Sequence, residues 1–263
     1  MFFVGSDVYD NDSVELLCGF KDVDAVIIGD LFCNKRMFGS DIQLIKSAEA
    51  FHNAGIKVCF QSPMYLTSRC FSSVAEKIEY LCKNNICDTV ILQNMGLLRS
   101  IRNKIPTVKF LWNCIELGRS RVSNSMYYMT IMELGADGFL TDNIPAAAEL
   151  NKRSIPVIPI YGKMAYSSMN RECYYMHEHN IFDGNCRRGC LDKTDFLVNE
   201  SGSMRMSIDG HLLGRHYVYE NTVEIGRLYR EYNTDICVFS EQLSNLPDRI
   251  NEVKLAGMEY VHD

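Results

Sequence analysis

Seven short runs rich in β-branched and aromatic residues recur between residues 2 and 162, and the stretches separating them have helical spacing. The runs are FFVG (2–5), AVIIGD (25–30), IKVCFQS (56–62), DTVILQN (88–94), VKFLWN (108–113), DGFLTD (137–142) and VIPIYG (157–162). Between them lie amphipathic segments such as DIQLIKSAEAFHNAG (41–55), SSVAEKIEYLCKNN (72–85) and SNSMYYMTIMELGA (123–136). Strands joined by helices of this length form a parallel sheet. Seven in succession predict a TIM-like βα-barrel, with an open doubly wound sheet as the alternative. The regular alternation stops after Tyr161. Residues 163–195 are rich in Cys, Tyr, Arg, Asn and Gly and show no period. Short strands follow at FLVNES, GSMRMSIDGHLL and HYVYENT, with turns at Ser201-Gly202 and Asp209-Gly210, a helix near 221–232 and a last strand at DICVFS (235–240). No linker is evident, so the expectation is one domain over 1–263, with the Cys-rich stretch (163–200) and the short β segments lying over the carboxyl-terminal face of the barrel.

A chain of 263 residues is long enough to bury such a core. A formal net charge of -6 counts against a nucleic-acid groove, which needs a basic face. The opening MFFVGSD lacks the basic start of a secretory signal, and no apolar stretch is long enough to span a bilayer. A cytoplasmic, reducing setting is therefore expected, in which the 11 cysteines stay unpaired or bind metal.

Cys173, Cys186 and Cys190 form a C-x12-C-x3-C pattern within the irregular stretch. The x3 step lets two thiolates share one metal centre, and Cys33, directly after a predicted barrel strand, is the natural fourth donor. Lys35, Arg36, Arg187 and Arg188 would favour the thiolate forms. Zinc and an iron–sulfur cluster both suit four thiolates, and one close pair plus two single cysteines tilts the pattern toward the cluster. Cys18, Cys59, Cys70, Cys82, Cys87, Cys114 and Cys237 fall on strand or helix patterns and read as ordinary thiols.

Several stretches resemble the collagenase-like peptidase family (U-32), most closely its anaerobic ubiquinone-biosynthesis branch. They are IIGDLFCNKR (27–36), SNSMYYMTIMELGADGF (123–139), YGKMAYSSMNREC (161–173) and GHLLGRHYVYENTVEIGRLYREYNTDICVFSEQ (210–242). The gaps after Cys173 and the upstream Cys33 match that branch's cysteine pattern. The resemblance implies a [4Fe-4S] cluster on Cys33, Cys173, Cys186 and Cys190. It also implies a part in oxygen-independent hydroxylation of an aromatic small molecule, together with a sister protein of the same family. A non-catalytic iron–sulfur subunit serving that partner is the second reading, and an RNA base hydroxylase or a peptidase the more distant ones. The chain departs from the family at PVIPIYG (156–162), where an acid usually opens the strand.

Polar residues at the predicted strand ends form the substrate-facing set: Asp30, Gln61, Gln93, Asn94, Asn113, Asp142 and Tyr161, joined by Asn124 through the family-like SNS. Of these, Asn124, Asn113, Gln93 and Tyr161 are the preferred substrate contacts; the same residue types also cap helices and close turns. Tyr166, Tyr174 and Tyr175 would pack around a cluster and keep water out. His177-Glu178-His179 has no ligand spacing and reads as an exposed loop. No GxSxG or HExxH supports proteolysis.

Overall fold

A computed structural model of the chain describes residues 2–5, 11–29, 41–63, 66, 68–114, 125–140, 155–168, 195–198, 205–209, 212–218, 235–239, 247–248 and 251, with the segments between 155 and 239 described by backbone and strand pairing. The element order is β1 (Phe2–Gly5), α1 (Asn11–Cys18), β2 (Ala25–Ile28), α2 (Asp41–Asn53), β3 (Lys57–Gln61), α3 (Ser68–Lys83), β4 (Thr89–Leu92), α4 (Met95–Ile101), β5 (Lys109–Asn113), α5 (Ser125–Glu133), β6 (Gly138–Leu140) and β7 (Ile155–Ser168). Then come β8 (Asp195–Val198), β9 (Arg205–Asp209), β10 (Leu212–Val218) and β11 (Asp235–Phe239).

Strands β1 to β7 pair in sequence order, all parallel. β11 lies parallel to both β1 and β7, Phe2 beside Ile236 and Val157 beside Asp235. The ring is therefore closed. The barrel expectation holds, and the open-sheet alternative is excluded by the β11–β7 seam. Among the described residues no helix is long and apolar enough to cross a membrane.

Helix ends and strand starts are joined by one recurring device. At the ends of α2, α3 and α5, Ile56, Ile86 and Ala136 donate their N–H groups back to the carbonyls of Phe51, Leu81 and Ile131. Gly55, Asn85 and Gly135 occupy the positive-φ position before them. This is the Schellman closure, in which the residue after the turn also packs back on the helix. The next strand begins one to three residues later. At β4 and β6 an aspartate stands at that junction and caps the strand before it: Asp88 Oδ2 accepts from the N–H of Val58 (2.8 Å), and Asp137 Oδ2 from the N–H of Phe110 (2.8 Å).

Packing is layered. Val26, Ile28, Val58, Phe60, Val90, Leu92, Phe110, Trp112 and Phe139 meet the helices outside the barrel. Phe3, Ala25, Ile27, Cys59, Ile91, Leu111 and Leu140 fill the inside. Tyr128 stands edge-on to Phe139 at 4.8 Å between ring centroids, and Trp112 Nε1 donates to the Tyr127 hydroxyl at 2.8 Å. Each fully buried Ile, Leu or Phe contributes about 1.5–3 kcal/mol through its removal from water.

The structure differs from the sequence expectation at β7. The seventh strand does not end at Gly162 but runs on to Ser168. Its first half, to Tyr161, lies in the barrel; beyond that it pairs antiparallel with β10, from Tyr161–Val218 to Ser168–Leu212. β10 pairs with β9, and β9 with β8, all antiparallel. The expected short strands are thus present as an antiparallel extension of the barrel wall, rising past its carboxyl-terminal rim by roughly 20 Å at the usual rise per residue. The expected break between GSMRMSIDGHLL and HYVYENT is absent, because Leu212–Val218 is continuous. Register against β11 slips by one residue, from Pro159–Cys237 to Tyr161–Val238. Pro159 has no N–H to give a ladder, which makes this a natural place for a bulge. The expected helix near 221–232 lies outside the described residues.

Candidate functional site

Alternation along a strand sorts each barrel residue into an inward or an outward column. The inward column of β3 is Lys57, Cys59 and Gln61. That of β4 is Thr89 and Ile91, continuing to Gln93 just past the strand, and that of β5 is Lys109, Leu111 and Asn113. Three neighbouring strands therefore repeat one order: Lys or Thr at the amino end, an apolar residue in the middle, a carboxamide at the carboxyl end. The register sets Gln61 beside Ile91 and Ile91 beside Leu111, and one level higher Asn113 beside Leu140. Gln93 follows the Leu92–Trp112 pair, which brings it level with Asn113.

This gives the carboxyl-terminal mouth an apolar floor of Ile27, Cys59, Ile91 and Leu111, with Gln61 level with Ile91 and Leu111, and Gln93, Asn113 and Leu140 one level above. Gln61 and Asn113 are 6% and 2% exposed. Gln93 is unusual, because its Oε1 and Nε2 are both buried and have no hydrogen-bond partner among the described residues. Each unsatisfied buried polar group costs about 1–3 kcal/mol. Ser62, fully buried, also leaves its Oγ without such a partner, while its N–H extends the ladder to the Ile91 carbonyl at 2.8 Å. Ser62 continues the outward column of Val58 and Phe60, so its hydroxyl and the Gln93 amide belong to opposite faces of the wall.

Gly29 shapes the exit of β2. Its φ is +108°, and a Cβ there would stand 2.2 Å from the carbonyl oxygen of Gln61. The backbone at Gly29 thus lies directly against that of β3, which only glycine allows.

Of the sequence-predicted strand-end set, the register brings Gln61, Gln93 and Asn113 to adjoining levels. Tyr161 marks the point where β7 leaves the barrel, paired with both Val238 and Val218. Asn94 is a cap instead: its Oδ1 accepts from the Leu97 N–H at 2.9 Å and opens α4. Asn124, Asp30 and Asp142 lie outside the described residues. So do Cys33, Cys173, Cys186 and Cys190, the basic residues beside them, Tyr174, Tyr175 and His177–His179. Tyr166 falls at the β7–β10 bulge. Sequence reasoning did not single out Ser62; its only signal was its place directly after a strand-end glutamine.

Cys59, Cys82, Cys87 and Cys114 are buried and, like the half-buried Cys18, are in no disulfide. Burial pushes the Cys87 thiol well above its ordinary range, reinforced by the adjacent Cys82 thiol, and Cys87 Sγ donates to the Thr89 carbonyl at 2.9 Å. Held in this way, the Cys87 thiol stays protonated and inert, as expected from its position in the sequence. Among the described residues no group of three His, Cys, Asp or Glu side chains could hold a metal ion.

No protein-family model matches the chain, and no curated protein matches it. Solved structures do. The U32 peptidase Mk0906 is 12% identical and superposes with a TM-score of 0.53 over 92% of this chain and 94% of its own. YKL-39, solved in the presence of chitooligosaccharides, is 9% identical with a TM-score of 0.52 over 97% and 98%. A chitinase from Chromobacterium violaceum is 8% identical with a TM-score of 0.50 over 100% and 99%. At these identities the likeness establishes the fold, a βα-barrel with parallel strands, and nothing finer.

Proposed function

We propose that the chain is a [4Fe-4S] protein of the UbiV type, acting with a UbiU-like partner in oxygen-independent hydroxylation of an uncharged aromatic small molecule of the ubiquinone-precursor kind. What supports this reading is the mouth itself, an apolar floor with buried amide groups at the carboxyl end of the strands, together with the cysteine pattern of the sequence, in which Cys33 follows β2 and Cys173 follows β7. Four thiolates are the donor set such a cluster takes, and a set complete in cysteine leaves no iron position open. When bound, the cluster would supply one-electron chemistry.

The chain's own residues have simpler tasks. Ile91, Leu111 and Leu140 exclude water and match an aromatic ring. Gln93 and Asn113 orient its polar substituents. Cys33, Cys173, Cys186 and Cys190 would hold the iron, with Lys35, Arg36, Arg187 and Arg188 offsetting its negative charge.

The second reading, a non-catalytic iron–sulfur subunit feeding electrons to its partner, is favoured by one specific feature. Apart from the buried Cys59 thiol, the inward residues described at the mouth are amides and hydrocarbons, which hold a ligand but move no proton. Peptidase chemistry lacks an oriented nucleophile and base there, and the net charge of -6 weighs against RNA.

Anaerobic purification with iron and acid-labile sulfide analysis tests the proposal. The expected content is about four irons per chain, lost in each of Cys33→Ala, Cys173→Ala, Cys186→Ala and Cys190→Ala but kept in Cys18→Ala. An iron-free, colourless anaerobic protein refutes it. Turnover by the isolated chain supports the enzyme, whereas activity that appears only after the partner is added supports the subunit.

A further inference from the structure

We infer that the barrel mouth is a selective binding site for neutral compounds carrying a donor and an acceptor side by side on one edge, and that the Gln93 carboxamide is the group that reads this edge. The inference shares with the proposed function the premise that the mouth takes a small molecule, but it requires neither iron nor the cysteine loop.

Three observations carry it. Both polar atoms of Gln93 are buried without a hydrogen-bond partner among the described residues. A carboxamide offers one acceptor and two donors on neighbouring atoms, so its complement is a ligand edge with the same pair reversed, as in a lactam, a carboxamide or a phenol beside a carbonyl. The floor beneath, Ile27, Cys59, Ile91 and Leu111, is apolar and suits a planar ring. The residues level with Gln93 and just below it, Asn113, Leu140 and Gln61, carry no charge. An ionised ligand would lose its water there and find no countercharge in that ring of residues, so the site discriminates against anions. A ligand lacking either the donor or the acceptor would leave half of the Gln93 amide unpaired. Sites built this way reject such analogues more strongly than hydrophobic pockets reject a missing methyl group.

The test uses the whole anaerobic protein and three probes of similar size: 2-pyridone, N-methyl-2-pyridone and benzoate. Affinity is read by ligand-observed NMR titration. 2-Pyridone is expected to bind about tenfold or more tightly than either of the others, the factor one lost hydrogen bond produces. Gln93→Met, close in shape but without the amide, is expected to erase that preference while iron and sulfide content and far-UV circular dichroism stay at wild-type values. Equal binding of the three probes overturns the inference, as does a preference that survives Gln93→Met. A loss of Tm for Gln93→Met with no probe preference in the wild type would show an amide already satisfied by water, and also overturns it. An iron-free protein that prefers 2-pyridone refutes the proposed function and leaves this inference standing; an iron-loaded protein without the preference does the reverse.

Discussion

The two ends of the barrel treat their polar groups in opposite ways. At the amino end, Asp137 holds Arg102 through two oxygens (3.0 and 3.1 Å), the same Arg102 Nη1 also donates to the Val108 carbonyl, and Asp137 caps Phe110. Asp88 binds His52 Nε2 at 2.9 Å and caps Val58. Arg102 lies 5.2 Å from the Phe110 ring, and its stem runs against Gly135, where a Cβ would come within 2.9 Å of its Cγ. At the carboxyl end, the side-chain polar atoms of Gln93 and Ser62 are buried with no hydrogen-bond partner among the described residues. One end uses its hydrogen bonds to fasten strands. The other keeps some in reserve, and in βα-barrels that is the end where ligands bind.

The largest effect should come from the one point at the carboxyl end that is purely a matter of packing. Gly29→Ala sets a methyl 2.2 Å from the Gln61 carbonyl at φ +108°, and unfolding by urea should show a loss of about 3–5 kcal/mol. Next comes the amino end. Asp137→Ala leaves Arg102 without its carboxylate and Phe110 without its cap, with an expected cost of about 2–3 kcal/mol in the same assay. Asp88→Ala, whose partner His52 is more exposed, should cost about 1–2 kcal/mol. Gln93→Met should go the other way and stabilise the ligand-free protein by about 1 kcal/mol, since it removes unpaired polar atoms. A destabilisation instead would erase the contrast between the two ends.

The smallest effect concerns pH. Lys104, with help from Lys83, holds the Glu79 carboxyl below its usual range. A depressed folded value means that the pair's contribution is present above the unfolded carboxylate range and fades as pH falls through the folded one. Both lysines are more than half exposed, so the contribution stays below about 1 kcal/mol and shrinks with salt. Stability of Glu79→Gln against wild type at pH 7 and pH 3, at low ionic strength, should differ only at the higher pH.

The barrel could be read from the sequence because each unit carries its own instructions: a β-branched run, a helix, then Gly or Asn, an apolar residue and a strand start. Its eighth strand, DICVFS, was legible too. The extent of β7 was not. Lys163–Ser168 contains Ala and two serines, with no hydrophobic alternation to mark it, and its partner β10 lies some fifty residues further on. The amides at Gln61, Gln93 and Asn113 were visible as polar strand ends. Their repeated placement after KVCF, TVIL and KFLW was written in the sequence as well, but only the register shows that all three point inward at adjoining levels. Asn94 illustrates the opposite case. Next to Gln93 in the chain, it faces the other way and caps α4, and one residue of offset decides the role.

The seam that completes the cylinder joins Phe2 to Ile236 and Val157 to Asp235. During synthesis the first strand must therefore wait, one edge unpaired, until the ribosome has passed Phe239. Open strand edges invite pairing with other chains. Nascent protein is thus exposed to mispairing for most of its translation, and conditions that slow elongation late in the message should lower the yield of folded product more than equal delays early on.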